Sequence, residues 1–160
     1  MEDTNKNAEG KAVQVDEGKQ YIVVKLGTEQ YGIDIQYVDN IVRMQNITRV
    51  PKAQHYFKGV INLRGEIIPV MSMRLKFGLE ADEYTNTTRI IIIKLEPQSA
   101  IGIMVDEVKE VVTLNEENID KPDYSEGDDK GAYLSGIGKH GDGLISLLNI
   151  AAVIIEKEPA

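Results

Sequence analysis

The sequence predicts a mainly β protein made of two small barrels of about five strands each, packed together and edged by short helices. Three observations predict it. Uninterrupted β-branched runs are bounded by turn residues, an internal duplication spans most of the chain, and 160 residues suit one ordinary domain or two small lobes sharing a core.

In chain order, residues 1–19 are polar with no apolar period and read as a disordered tail. One domain is expected over 20–156, in two halves near 20–80 and 88–156, with a short tail at 157–160. QYIVVKLG (20–27) and TRIIIIKLE (88–96) read as strands, followed by Gly27-Thr28-Glu29 and Pro97-Gln98-Ser99 as turns. These runs open the duplication. YGIDIQYVDNIV (31–42) lies over IGIMVDEVKEVV (101–112) without a gap, matching Gly32 with Gly102, Ile33 with Ile103, Ile35 with Val105 and Val38 with Val108. FKGVINLRGEIIPVMSM (57–73) lies over LSGIGKHGDGLISLLNI (134–150), matching Gly59 with Gly136 and Val60 with Ile137. Ser72 falls on Asn149, and both suit the N-cap of a short closing helix. Each half reads as a hairpin, a helical turn, a second hairpin and that helix. An acidic insertion, NIDKPDYSEGDDKGAY (118–133), separates the blocks of the second half and reads as a loop.

Half a chain of roughly 60–70 residues has a marginal core alone, so the two halves are expected to bury surface against each other. A groove where two lobes meet is a natural binding site. A purely architectural duplication is the competing reading.

Composition removes several function classes. There is no cysteine, so disulfides and thiolate metal sites are excluded. No run of about 18 uncharged apolar residues is present, and the N-terminus lacks the basic and apolar regions of a signal peptide. A cytoplasmic protein with no direct membrane insertion is expected. The net charge of −8 opposes a general nucleic-acid binder. Charge is unevenly placed: residues 39–76 hold seven basic residues against two acids, while 106–130 hold ten acids against three lysines. Such asymmetry marks differing protein-facing surfaces.

Chemistry-bearing motifs are scarce. GIGKHG (136–141) fits the dinucleotide fingerprint, but turn and strand follow it where a long helix is needed, so its glycines read as turn residues. His55 and His140 are far apart, and no nucleophile elbow or Walker motif occurs. No catalytic residue, cofactor or metal is expected. Asp34 reads either as a buried acid or as the cap of a helical turn near Gln36.

Arg64, in GVINLRGEIIPV (59–70), stands out. In an Arg-Gly turn the glycine supplies the permissive backbone, and the arginine ordinarily points into water. Yet the matching turn contains Gly141-Asp142-Gly143, so the fold does not require an arginine there. A guanidinium presents a planar fork of donors suited to a partner's carbonyls and carboxylates. Both readings, solvated turn and partner recognition, stay open on the residues alone.

YGIDIQYVDNI, ITRVP and FKGVINLRGEIIPVMSMRLKFG, followed by GIMVDEV and YLSGIGK, closely resemble the CheW family of bacterial chemotaxis coupling proteins, from about Tyr21 to Ile155. The resemblance implies two five-stranded SH3-like barrels around an apolar interior, and a scaffold with no catalytic activity. Such proteins bind the cytoplasmic tips of chemoreceptors and the regulatory domain of the histidine kinase CheA, placing the kinase under receptor control within membrane arrays. The family's receptor groove implies Val38 and Arg64 as contacts, with Gly59 and Asn62 beside them. At Asn40 many relatives carry Glu, so a receptor base paired with that acid would lose its partner here. No motif singles out kinase-binding residues. A monomer with at most weak self-association is expected. The alternative within the family is a paralogue serving a non-flagellar array; a small enzyme or ligand-binding double barrel is the distant one.

Overall fold

In the computed structural model, which describes residues 18–121 and 133–154, the first half begins with β1 (Lys19–Leu26) and β2 (Glu29–Asp34). A 3-10 turn over Ile35–Tyr37 leads to β3 (Val38–Arg43), and β4 (Phe57–Leu63), β5 (Glu66–Ser72) and α1 (Met73–Lys76) follow. The second half repeats the plan with β6 (Arg89–Glu96), β7 (Ser99–Val105), β8 (Glu107–Leu114), a 3-10 turn over Glu116–Asn118 and β9 (Ile119–Asp120). It closes with β10 (Leu134–His140), β11 (Gly143–Leu148) and α2 (Ile150–Ile154). The tail expected over 1–19 lies outside the described residues except for its end, where Lys19 already pairs with Leu114. Most of the acidic insertion lies outside them too.

The caps fall where the side chains dictate. Asp34 Oδ1 accepts from Gln36 N at 3.0 Å, so it is a cap and not a buried acid. Ser72 Oγ accepts from Leu75 N, and Asn149 Oδ1 accepts from Ala152 N.

The fold is mainly β, with two SH3-like barrels, but neither half closes a barrel from its own strands. One sheet runs β9-β10-β11-β2-β1-β8 and the other β3-β6-β7-β5-β4. The two expected barrels are present, and each draws its strands from both halves of the duplication. The short turn at Ile35–Tyr37 carries the chain from the first barrel into the second, so the halves exchange strands. The parallel pair β2–β11 is joined by a long connection that passes through the other sheet, and the parallel pair β5–β7 by one that runs through α1 and β6. Both sheets close in the same way. The chain leaving β8 enters β9, which pairs with β10 at Ile137 and Gly138; the chain leaving β3 reaches Thr48, which bridges Val60 on β4. Val60 and Ile137 are duplicated positions.

Three apolar clusters result. Tyr21, Val23, Val112, Leu114, Ile145 and Leu147 fill the first barrel, and Ile61, Ile68, Val70, Ile90, Ile92 and Met104 fill the second. The largest lies between them, taking Ile22, Val24, Leu26 and Ile33 from one side and Met71, Ile91, Ile93 and Ile103 from the other. Successive strand residues face opposite sides, so β1 and β6 serve a barrel core and the central core at once. That is why their sequences lack a polar alternation.

Small barrels leave little interior room, which accounts for the duplicated Gly32 and Gly102. A Cβ on Gly102 would stand 2.7 Å from Ile90 Cγ2, and one on Gly32 2.8 Å from Leu147 Cδ2. Gly136 and Gly138 are likewise strand residues; a Cβ on Gly138 would meet Leu114 Cδ1 at 2.5 Å. Of the glycines in GIGKHG, only Gly141 is in the turn, with φ 60°. The reading of all of them as turn residues is corrected: close packing inside the barrel accounts for the other two.

One ion pair ties the halves together. Arg74 on α1 donates to Asp106, just after β7, through Nε at 2.8 Å and Nη2 at 2.6 Å. Asp106 Oδ2 also accepts from Gly27 N in the β1–β2 turn at 2.8 Å. The hydrogen bond from Arg74 holds the Asp106 carboxyl below its ordinary value; partial burial opposes this and the Gly27 amide reinforces it.

Gly102→Ala should destabilise the protein by about 1–3 kcal/mol, because Ile90 is fully enclosed and must shift. A lower urea midpoint with an unchanged slope would show it. Asp106 contributes stability that is complete above its unfolded value of 3.8 and lost as pH falls through its lower folded value. Asp106→Asn should therefore cost about 1–2 kcal/mol at pH 7, allowing for partial solvent screening, and flatten the fall in stability below about pH 4. Urea titrations at neutral and acidic pH measure both effects.

Candidate functional site

The β4–β5 hairpin turns on two residues, Arg64 and Gly65, between the paired Leu63 and Glu66. Both have left-handed backbones, with φ 55° at Arg64 and 87° at Gly65. Such turns match the twist of the flanking strands, but they need positive φ at both central positions. For a residue with a Cβ that conformation costs about 1–2 kcal/mol. The matching hairpin places Gly141, φ 60°, at the position of Arg64. Asn62 braces the turn, its Oδ1 accepting from Gly65 N at 3.0 Å. The Arg64 guanidinium is exposed and makes no hydrogen bond or ion pair among the described residues. Arginine thus occupies a strained position that the fold elsewhere gives to glycine. A sequence reading that credits Gly65 alone with the unusual backbone misses this, although the two-residue loop length signals it.

Pairing registers place the other expected residues. Val38 stands opposite Ile93, and Ile93 opposite Ile101, both directed away from the second barrel's interior. The parallel register of Val70 with Gly102 sets Pro69 beside Ile101, and Pro69 stands opposite Val60. One step toward the hairpin tip, Asn62 pairs with Ile67, which is 60% exposed. Val38 and Asn62 therefore belong to the outer face of the second barrel, with Arg64 at its tip. Val38 is half-buried at the margin of the central core, where apolar contact and exposure meet.

Asn40 is separated from that face. A bulge between Val38 and Asn40 sets them opposite Ile93 and Ile92, which point to opposite sides of β6. Its Oδ1 accepts from Ile41 N at 2.8 Å. Gly59 answers a backbone need: its φ is 142°, and a Cβ would collide with the Thr48 carbonyl oxygen that closes the barrel. The structure thus brings together Val38, Asn62 and Arg64, while Asn40 faces elsewhere and Gly59 shapes the strand.

The outer faces hold further apolar residues that the sequence reading passed over. Ile67 and Leu144 are 60% and 62% exposed, and Ile41 and Val111 are 37% and 50% exposed. Each pair occupies matching positions of the duplication. Two adjacent isoleucines in EIIPV cannot both face inward, which was the available signal. Among the described residues no cluster of three His, Asp or Glu side chains could hold a metal ion.

A family model described as a CheW-like domain matches residues 20–158. The chemotaxis protein CheW of Helicobacter pylori is 35% identical over 135 residues, covering 84% of this chain and 81% of that protein. The chemotaxis protein CheW of Klebsiella aerogenes is 33% identical over 143 residues, covering 89% and 86%. Among solved structures, the scaffolding protein TtCheW from Thermoanaerobacter tengcongensis matches with a TM-score of 0.75 at 35% identity, covering 82% of this chain and 89% of that one. The matched region takes in both barrels and the greater part of each relative, and the chain belongs to the CheW-like family.

Proposed function

We propose that this protein is a coupling scaffold of chemotaxis signalling, which receives the cytoplasmic tip of a chemoreceptor on the outer face of the second barrel and holds the regulatory domain of the histidine kinase CheA elsewhere. The observation that carries the receptor site is Arg64: an exposed guanidinium, unpaired among the described residues, kept at a backbone position where glycine costs less. Strain retained at one exposed residue points to a role outside folding. Val38 supplies an apolar contact beside it, Asn62 holds the turn rigid, and a planar fork so held loses little freedom on engaging carbonyls or carboxylates. Gly59 and Asn40 act indirectly or not at all. Exposed apolar residues recur at matched positions on both barrels, as suits a protein that offers surface to more than one partner. The scaffold acts without chemistry of its own, working in the cytoplasm at membrane-bound arrays, and no described helix is long and apolar enough to cross a membrane.

Arg64→Ala should leave stability within about 0.5 kcal/mol, because alanine inherits the same backbone cost. Receptor affinity should fall about tenfold to a hundredfold, with kinase binding retained. Arg64→Lys should restore only part of the loss. Arg64→Gly separates the two roles: stability should hold or rise by up to about 1 kcal/mol while receptor binding falls as for alanine. Thermal melts with receptor and kinase pull-downs measure these outcomes. Unfolding by Arg64→Ala would make the residue structural, and loss of kinase binding alone would place the receptor on another face.

A further inference from the structure

A second surface lies apart from the Arg64 turn. Residues 49–58, a loop that runs into the start of β4, form a segment whose base is fixed by two hydrogen bonds, Thr48 N to Val60 O and Val60 N to Thr48 O, both 2.8 Å. Its middle is fixed too. Phe57 N donates to Gln54 O at 3.0 Å, Ser72 N donates to Tyr56 O at 2.8 Å, and the Tyr56 ring is buried with Lys76 Nζ 4.1 Å from its centroid. Lys52 is held at φ 65°, the other side-chain-bearing residue with a left-handed backbone among those described. The loop is therefore a built element.

This loop presents Arg49, Lys52, His55 and Lys58 to a concave surface, and among the described residues no carboxylate lines it. None of the four makes an ion pair among the described residues. Of the acids that follow α1, Asp82 accepts from Ser72 Oγ through Oδ1, and Glu83 lines a different groove beside Arg74. The adjoining groove, of about 660 Å³, is lined by the apolar side chains of Phe57, Leu75 and Ile47 and by Tyr84 beside the polar ones. Tyr84 is 53% exposed, and Lys58 Nζ lies 5.8 Å from its ring centroid.

Cations without an ion pair among the described residues, beside apolar side chains, fit a ligand with carboxylates and one apolar anchor. We propose that the 49–58 loop and its groove form a docking site for an acidic peptide segment of a partner protein. Carboxylates of the segment would meet Arg49 and Lys58, and an aromatic or aliphatic side chain would seat between Phe57, Leu75 and Tyr84. The net charge of −8 favours a short segment over an extended polyanion such as a nucleic acid or a lipid surface, which would also meet the acids of the first barrel. This site is independent of the Arg64 reading, since it requires neither that turn nor the receptor.

The test uses a fluorescein-labelled peptide of about a dozen residues, rich in Glu and carrying one Phe and one Leu, followed by anisotropy with the intact protein. Saturable binding that weakens as salt rises is expected. The double variant Arg49→Glu, Lys58→Glu should lower affinity tenfold or more, while Lys109→Glu on the first barrel should not. Tyr84→Ala should weaken binding without altering its salt dependence, and amide shifts in NMR spectra should concentrate at residues 44–58. Thermal melts establish that each variant is folded. The proposal fails if the peptide does not bind, if a Gln-for-Glu peptide binds equally, or if the folded double variant binds as the parent does. It also fails if vesicles of anionic phospholipid bind where the peptide does not. Sedimentation showing that the double variant dissociates a self-associated parent would overturn it in favour of a second copy as the occupant.

Discussion

A strand with four consecutive apolar side chains needs apolar surface on each of its sides, and β1 (Tyr21 to Val24) and β6 (Ile90 to Ile93) meet that need by standing between two cores. Tyr21 and Val23 face one barrel while Ile22, Val24 and Leu26 face the centre; Ile90 and Ile92 do the same against Ile91 and Ile93. Either barrel alone would leave one side of its long strand in water. Exposing several such side chains would cost about 1.5–3 kcal/mol each, more than a small domain's margin of stability can bear. The exchange of strands between halves answers the same constraint, because each barrel needs both halves of the chain.

Two arginines of the first half show how that frame separates structure from recognition. Arg74 makes a forked pair with Asp106, and Asp106 also accepts from Gly27, so one carboxylate joins α1, the β1–β2 turn and the link after β7. The pair sits at a junction of halves that are already packed, where its value is in fixing their relative placement. Arg64 is the reverse case: it has no partner within the described residues and sits on a backbone that disfavours it. The first arginine is used up by the fold, and the second is carried by it.

Much of this was legible in sequence. The β-branched runs became strands at nearly the expected bounds, and the offset aligning 57–73 with 134–150 carries β4 onto β10 and β5 onto β11. The cap residues Asp34, Ser72 and Asn149 work locally and were readable for that reason. What escaped depends on distant partners. Strand exchange is set by which edges meet in space, and periodicity within a strand is the same either way. The interior role of Gly138 depends on Leu114, more than twenty residues away in the chain. The bulge that parts Asn40 from Val38 shows only against β6. Arg64 was conspicuous as a charge in an apolar hairpin, but its left-handed backbone appears only once the loop is known to hold two residues.

Duplication and divergence together show how a near-symmetric fold presents unlike surfaces. The matched glycines Gly32 and Gly102, and the matched closures at Val60 and Ile137, answer packing demands that both barrels share. Packing does not constrain the tips of the hairpins in the same way. There one copy carries Arg64 and the other Gly141, and the segment from 49 to 58 gathers cations, while the sequence that precedes β10 is acidic. A molecule built from two like barrels gains little from unlike ends unless each end meets something different. Such a charge difference would orient a partner that engaged the basic loop before any close contact formed. Orientation of that kind is what a coupling scaffold must provide, and it comes from the positions the duplicated core leaves free.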